Sequence, residues 1–320
     1  LPLNNLMKKN FTVVFYLAAA CAAVFLLASC SSGAGGGDNN SDADEPSGES
    51  EIVELNETER LFRFAVISDT HLGLTDANEN NVRFVKASAA LAALRPKIDF
   101  AVDTGDVVED LLCFPGVNCS DPLPVLSKLK ETIDKNFNVF PIYLVLGNHD
   151  NRYFDNFGGN EAPLASWKSV FDGSVNLPAP YYSFKRGAFT FIMMFSMDLS
   201  FDHASNDEPS FGAPQLAWLE ERLKDGSYAI LFWHHFVAPP EINEAAKPIL
   251  DVLLAHKSQI KAVFTGHGHE FKKVEWEGMP FYETANMGKR DDDILPHHLV
   301  ECDGETGAVR IVNDSEIIYN

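Results

Sequence analysis

The sequence predicts an α/β fold in which two packed mixed sheets are flanked by helices. Three observations carry that expectation. Apolar, β-branched runs of strand length recur along the chain, and most of them end abruptly in a short polar motif. Segments with apolar residues at helical spacing separate many of these runs, as parallel strands require. Two further pairs of runs are joined by tight turns, Arg186-Gly187 and Glu277-Gly278, which marks hairpins and therefore sheets that are not wholly parallel.

Taken in order, Phe64 to Ile67 is the first run, followed by Asp69-Thr70-His71. Asn78 to Leu94 has helical periodicity and stops before Pro96, which disfavours helix at the residue preceding it. Phe100 to Val102 leads into Gly105-Asp106, and Leu123 to Phe137 is the next helix. Val139 to Leu146 ends in Gly147-Asn148-His149-Asp150. Tyr181 to Phe184 and Ala188 to Phe195 form the first hairpin, and Ala213 to Leu223 a helix. Tyr228 to Trp233 precedes His234-His235, and Glu244 to His256 is a helix with Pro248 near its first turn. Ile260 to Phe264 precedes Gly266-His267-Gly268-His269. Phe271 to Trp276 and Pro280 to Thr284 form the second hairpin, and Val309 to Val312 reads as the terminal strand.

The strand-end motifs carry the chemistry. Ligands in open α/β sheets gather beyond the carboxyl ends of strands, so the five polar clusters are expected to converge on one rim. Carboxylate, imidazole and amide oxygen are all metal ligands, and they are too many for one ion. Asp106 is the natural bridge between two cations, with Gly105 allowing the tight turn that aims it. Asp69 and His71 alternate across one strand end and suit a first metal; Asn148, His234 and His267 suit a second. His269, two residues beyond His267, returns to the first if the segment is extended. His149 is then left to protonate a leaving oxygen or to stabilise charge. Two cations about 3.5–4 Å apart make a hydroxide near neutral pH and neutralise phosphoryl oxygens, which is what phosphate ester hydrolysis needs.

The ordered series Asp-x-His, Gly-Asp, Gly-Asn-His-Asp, His and Gly-His-x-His resembles the calcineurin-like metallophosphoesterase superfamily over residues 62 to 286. The resemblance implies a four-layer α/β/β/α sandwich and hydrolysis of phosphate mono- or diesters by a metal-bridging hydroxide. It implies two divalent ions (Mn, Fe, Zn or Co). Asp69, His71, Asp106 and His269 would hold metal one; Asp106, Asn148, His234 and His267 would hold metal two. His149 takes the place of the catalytic histidine, with Asp150 as an orienting carboxylate behind it. The pattern is similar to small bacterial phosphodiesterases of the cyclic-nucleotide or glycerophosphodiester kind, in which Arg152 follows the Gly-Asn-His-Asp motif. Glu109 stands where purple acid phosphatases carry a ligating tyrosine. His234-His235-Phe236 replaces the common His-His-Pro, so His234 and His235 both stand as candidates for one ligand. The competing class is a non-catalytic metal-binding lipoprotein that uses the same fold as a scaffold.

Outside the motifs, the chain is acidic: 25 Lys and Arg stand against 46 Asp and Glu, a formal charge of −21. With no basic stripe, nucleic acid is not an expected partner. Nine of the acidic residues lie between Asp38 and Glu59, within a Gly/Ser/Asp/Glu tract too polar to fold. Lys8-Lys9, the apolar run Phe11 to Leu27 and the tetrad Leu27-Ala28-Ser29-Cys30 resemble a bacterial lipoprotein signal. The expected organisation is therefore a signal peptide over 1–29, an acidic tether over 30–58 and a catalytic domain over 59–320. Lipidated Cys30 would tie an exported protein to a membrane, with Ser31 favouring the outer one; a single membrane-spanning anchor is the alternative. Cys113 and Cys119 are spaced for a small disulfide or for two unlinked thiols, and Cys302 is expected to be free. The segments Leu111 to Pro124 and Arg152 to Gly173 are the expected substrate walls, with Arg152 either on a phosphate oxygen or at the surface. His203, His256, His297 and His298 are expected at the surface, and Asp291-Asp292-Asp293 as a solvated loop.

Overall fold

The computed structural model describes residues 60–73, 78–95, 97–109, 123–136, 140–150, 175–197, 208–239, 242, 244, 246–287, 297–312 and 318–319. The chain divides into two units, Leu1–Ser47 and Gly48–Asn320, and every described residue lies in the second. Cys30, Cys113, Cys119, Arg152, His203 and Asp291 to Asp293 lie outside the described residues. Among the described residues no helix is long and apolar enough to cross a membrane.

Two mixed six-stranded sheets form the domain. The first combines β1 (Leu61–Ile67), β3 (Phe100–Asp103), β4 (Ile142–Leu144), β5 (Val175–Asn176), β12 (His298–Asp303) and β13 (Val309–Val312), in the order β13-β12-β1-β3-β4-β5. The second combines β6 (Tyr182–Arg186), β7 (Phe189–Met193), β8 (Tyr228–Phe232), β9 (Ile260–Thr265), β10 (Lys272–Trp276) and β11 (Met279–Glu283), in the order β10-β11-β9-β8-β7-β6. A small ribbon pairs β2 (Leu94–Arg95) with β14 (Ile318–Tyr319). Within each sheet the central strands are parallel: β1, β3, β4 and β5 in one, β7, β8, β9 and β11 in the other. Helices α1 (Glu79–Ala93) and α2 (Leu123–Asn136) cross between strands of the first sheet. Helices α3 (Ala213–Leu223) and α4 (Lys247–Ala255) do the same for the second.

Strand periodicity explains the layering. On β8, Ile230 and Phe232 enter the core that also contains Phe62, Phe64, Phe100 and Phe191 from the other strands. The intervening Ala229, Leu231 and Trp233 face the core shared with Leu219 and Leu223 of α3 and Ile249 and Leu253 of α4. A central strand buried on both faces must read as a continuous apolar run, which is why these segments were legible. The aromatic core is dense. Phe64 stacks on Phe100 at 5.0 Å and meets Phe191, Phe232 and Phe264 edge-on at 5.4–6.2 Å. Helix α1 begins as its sequence suggests: the Asn78 side chain caps it by accepting the Asn80 N–H at 2.9 Å.

Two expectations are corrected, and the rim proves to draw on both sheets. The five motif-bearing strands are shared between the sheets, β1, β3 and β4 in one and β8 and β9 in the other, so the rim is built by two sheets side by side. Val309–Val312 is not the last strand, because β14 follows it, and β12 was unforeseen. Glu301 and Asp303 interrupt the apolar pattern of β12, although it pairs with β1 from Leu61 to Val66. His297 and His298 are not surface residues: His297 is buried, while His298 packs on Phe271 and Tyr282 and reaches the Glu283 carbonyl at 3.3 Å. Cys302 is a free, buried thiol whose pKa is pushed up by burial.

Candidate metal centre

Each motif sits directly after a parallel strand, and the chain turns sharply there. Asp69, His71, Asp106, His267 and His269 all have positive φ, between 47° and 74°. Non-glycine residues rarely adopt this left-handed conformation, and it is tolerated where surrounding structure over-determines it. This replaces the alternation argument: His71 and His269 do not reach the site along extended backbone but through left-handed kinks that swing each side chain inward. Gly105, at φ 110°, completes the turn before Asp106; a Cβ there would lie 2.7 Å from His234 Nδ1 and 2.8 Å from the Gly147 nitrogen.

The side chains form two groups that share one carboxylate. Asp69, His71, Asp106 and His269 bring one ligand-type atom each to within 4.8 Å of one another, and Asp106, His234 and His267 do the same. In the first group His269 Nε2 lies 3.1 Å from Asp69 Oδ1, and His71 Nε2 lies 3.4 Å from His269 Nε2. In the second, Asp106 Oδ2 is 3.3 Å from His234 Nε2, and Asn148 Oδ1 is 3.0 Å from His234 Nε2 and 3.2 Å from His267 Nδ1. The two adjacent histidines point in different directions. His234 faces Asp106, whereas His235 turns to Ser196 Oγ at 2.9 Å.

The donor set suits cations. Among the described residues Asp69 Oδ1 is buried and makes no hydrogen bond, with His269 Nε2 3.1 Å away, while Oδ2 takes the Ser68 hydroxyl at 2.5 Å and the His267 N–H at 3.1 Å. His234 Nδ1 donates to the Thr104 carbonyl at 3.0 Å, so Nε2 turns its lone pair towards two oxygens. Burial disfavours the imidazolium of His234, yet the Asp106 charge and hydrogen bond outweigh it and raise its pKa to about 9. Burial likewise opposes the Asp106 carboxylate, but His234, His149 and His71 together hold it well below the usual carboxylate range. Without a metal, a proton supplies the positive charge that this geometry demands. Two nitrogens facing each other, a bare buried oxygen and a shared carboxylate all fit a pair of divalent ions.

His149 lies at the edge of the first group, its ring 4.7 Å from that of His71 and its Nε2 3.8 Å from Asp106 Oδ2. Its Nδ1 is held by the Glu109 carbonyl, and its backbone N–H binds Asp106 Oδ1 at 2.8 Å. Asp150 is not the carboxylate behind that ring. It is fully buried and accepts the backbone N–H groups of Gly147, Val107 and Val108 at 2.8–3.2 Å, tying the two ligand turns together. Burial and the neighbouring Asp106 charge lift its pKa to about 7. Sequence reasoning missed Glu109, whose carboxylate lies 3.4 Å from His71 Nδ1 and accepts from Asn80 Nδ2 at 3.3 Å. Its position three residues after Asp106 was the available signal.

The sequence profile of the calcineurin-like phosphoesterases matches residues 62–271. Among solved structures, the chain is similar to a dimetal phosphatase from Danio rerio: 12% identity, TM-score 0.53, covering 75% of this chain and 92% of that one. It is also similar to a putative 5′-nucleotidase from Staphylococcus aureus: 15% identity, TM-score 0.52, covering 81% of this chain and 54% of the other. At these identities the likeness speaks for the fold. The comparison with curated proteins finds no match.

Proposed function

The chain belongs to the calcineurin-like phosphoesterase family, and from that premise we propose that it is a dinuclear-metal hydrolase of phosphate mono- or diesters. The observation that carries the proposal is the sharing of Asp106 between two groups of ligand-type side chains. Asp69, His71, Asp106 and His269 would hold one ion, and Asp106, Asn148, His234 and His267 the other. When bound, two divalent cations neutralise the phosphoryl oxygens and acidify water for attack. The chain's own contribution is positional. The left-handed turns fix the ligands before substrate arrives, and Asp150 locks the Asp106 and Asn148 turns to each other. His149, its Nδ1 pinned to the Glu109 carbonyl, presents Nε2 to the rim, where it can give a proton to the departing oxygen. On this reading the catalytic role falls to His149 and a structural one to Asp150.

A chelator-stripped preparation given Mn, Fe, Zn or Co and assayed with aryl phosphate mono- and diesters tests the reading. Turnover that vanishes on chelation and returns with metal is expected; none with any metal would defeat it. The proposal extends to a membrane-tethered, exported protein held by lipid on Cys30, with phosphoesters rather than nucleic acid as partners. Membrane fractionation of Cys30→Ser is expected to release the protein into the soluble fraction.

A further inference from the structure

Beside the metal centre, on the β8–β9 side of the rim, is a pocket of about 330 Å³. His267 forms one wall, so whatever fills the pocket adjoins the second ligand group. His235 forms another. Its ring is buried, and among the described residues its Nε2 has no hydrogen-bond partner. The opposite nitrogen is engaged: Ser196 Oγ accepts the His235 backbone N–H at 3.3 Å and lies 2.9 Å from Nδ1. A serine hydroxyl can donate to Nδ1 or accept from it, so Nε2 is left unsatisfied as either acceptor or donor. A buried ring nitrogen without a partner is costly, and a ligand hydroxyl in the pocket, which both donates and accepts, relieves that cost.

The remaining lining defines what the ligand is. Lys272 and Glu283 are direct cross-strand partners on β10 and β11, so their opposite charges compensate. The Lys272 ammonium also lies 4.4 Å from the centre of the Phe236 ring, which with Pro209 gives the pocket its apolar faces. A purely apolar group would strand His235 Nε2. An anion would face Glu283 and Glu270, and a cation would face Lys272. A neutral group bearing several hydroxyls meets every wall, since each hydroxyl both donates and accepts while its C–H edges lie on Phe236 and Pro209.

We propose that this pocket receives the alcohol portion of the phosphoester and that this portion is a small neutral polyol, pairing with His235 Nε2, accepting from Lys272 and donating to Glu283. The proposal rests on the hydrolase reading above, and its test separates the two. The metal-loaded, full-length protein is assayed on glycerol 1-phosphate, ribose 5-phosphate, n-propyl phosphate, phosphoserine and phosphoethanolamine. Polyol esters are expected to exceed n-propyl phosphate in kcat/KM by about tenfold or more, because a site built for hydroxyls rejects an analogue lacking them. In Lys272→Met and in His235→Phe that ratio is expected to fall towards one. A preference for propyl or zwitterionic esters, or a polyol preference untouched by both substitutions, overturns the proposal. If no ester turns over, the hydrolase reading fails and the pocket is decided by binding alone. Saturation-transfer NMR with glycerol and 1-propanol as probes should then show glycerol bound in preference and lost in Lys272→Met; equal signals overturn it.

Discussion

The sharpest consequence of the site concerns the metal-stripped protein, where Asp106 is surrounded by imidazoles and His234 takes a proton in place of a cation. Burial alone would lower the His234 pKa, but Asp106 reverses this and raises it from 6.5 to about 9. Such a displacement corresponds to roughly 3 kcal/mol of extra stability for the folded state while the imidazole is protonated. The sign follows from the direction. For a group whose folded pKa is raised, the contribution is complete below its unfolded value and disappears as pH rises through the folded one. The metal-free protein should therefore lose roughly 3 kcal/mol between about pH 6.5 and pH 9. Asp150, lifted to about 7, acts in the same direction over a lower window, from its ordinary 3.8 upward. Urea unfolding of chelator-treated protein at pH 6.5, 7.5 and 9 measures the loss as a falling midpoint at constant slope. In Asp106→Asn the decline across this window should shrink strongly, since the charge responsible is gone. Restoring divalent metal should also flatten it, because the ion replaces the proton. A metal-free midpoint that is level from pH 6.5 to 9, or a decline equally steep in Asp106→Asn, would refute the reasoning.

Three further outcomes follow from particular contacts. His149→Ala should keep its metals but lose about 10²–10⁴ in kcat, read by steady-state assay beside metal analysis. Glu109→Gln should weaken metal binding by about 10–100-fold in a competition titration, because it removes the carboxylate charge 3.4 Å from His71 Nδ1. Phe64→Ala, which removes a ring enclosed by Phe100, Phe191, Phe232 and Phe264, should cost about 3–5 kcal/mol in denaturant unfolding.

Close backbone approach explains why a glycine opens the third motif. At Gly147 a Cβ would overlap both the Asp106 carboxylate and its backbone nitrogen, so the third strand end can dock on the second only if the side chain is absent. That docking brings Asn148 and His149 within reach of Asp106, and Asp150 then closes the joint with backbone hydrogen bonds from both turns. The site is thus a packing feature of the rim as much as a set of ligands.

What the chain alone determined is the part that depends on local order. Doubly buried strands must be unbroken apolar runs, helices between them must be amphipathic, and ligand-type residues at strand ends stand out against both. Hence α1, α3 and the motif-bearing strands were legible. Only the tertiary structure decided which sheet each strand joins, since a strand's sequence records that it is buried and not by whom. It also decided β12, whose charges hide its pairing with β1, and the left-handed turns that aim the ligands. The partners of Asp150, Glu109 and His235 belong to the same class. Each is settled by atoms distant in the chain, and a polar side chain carries no mark of which distant group it will meet.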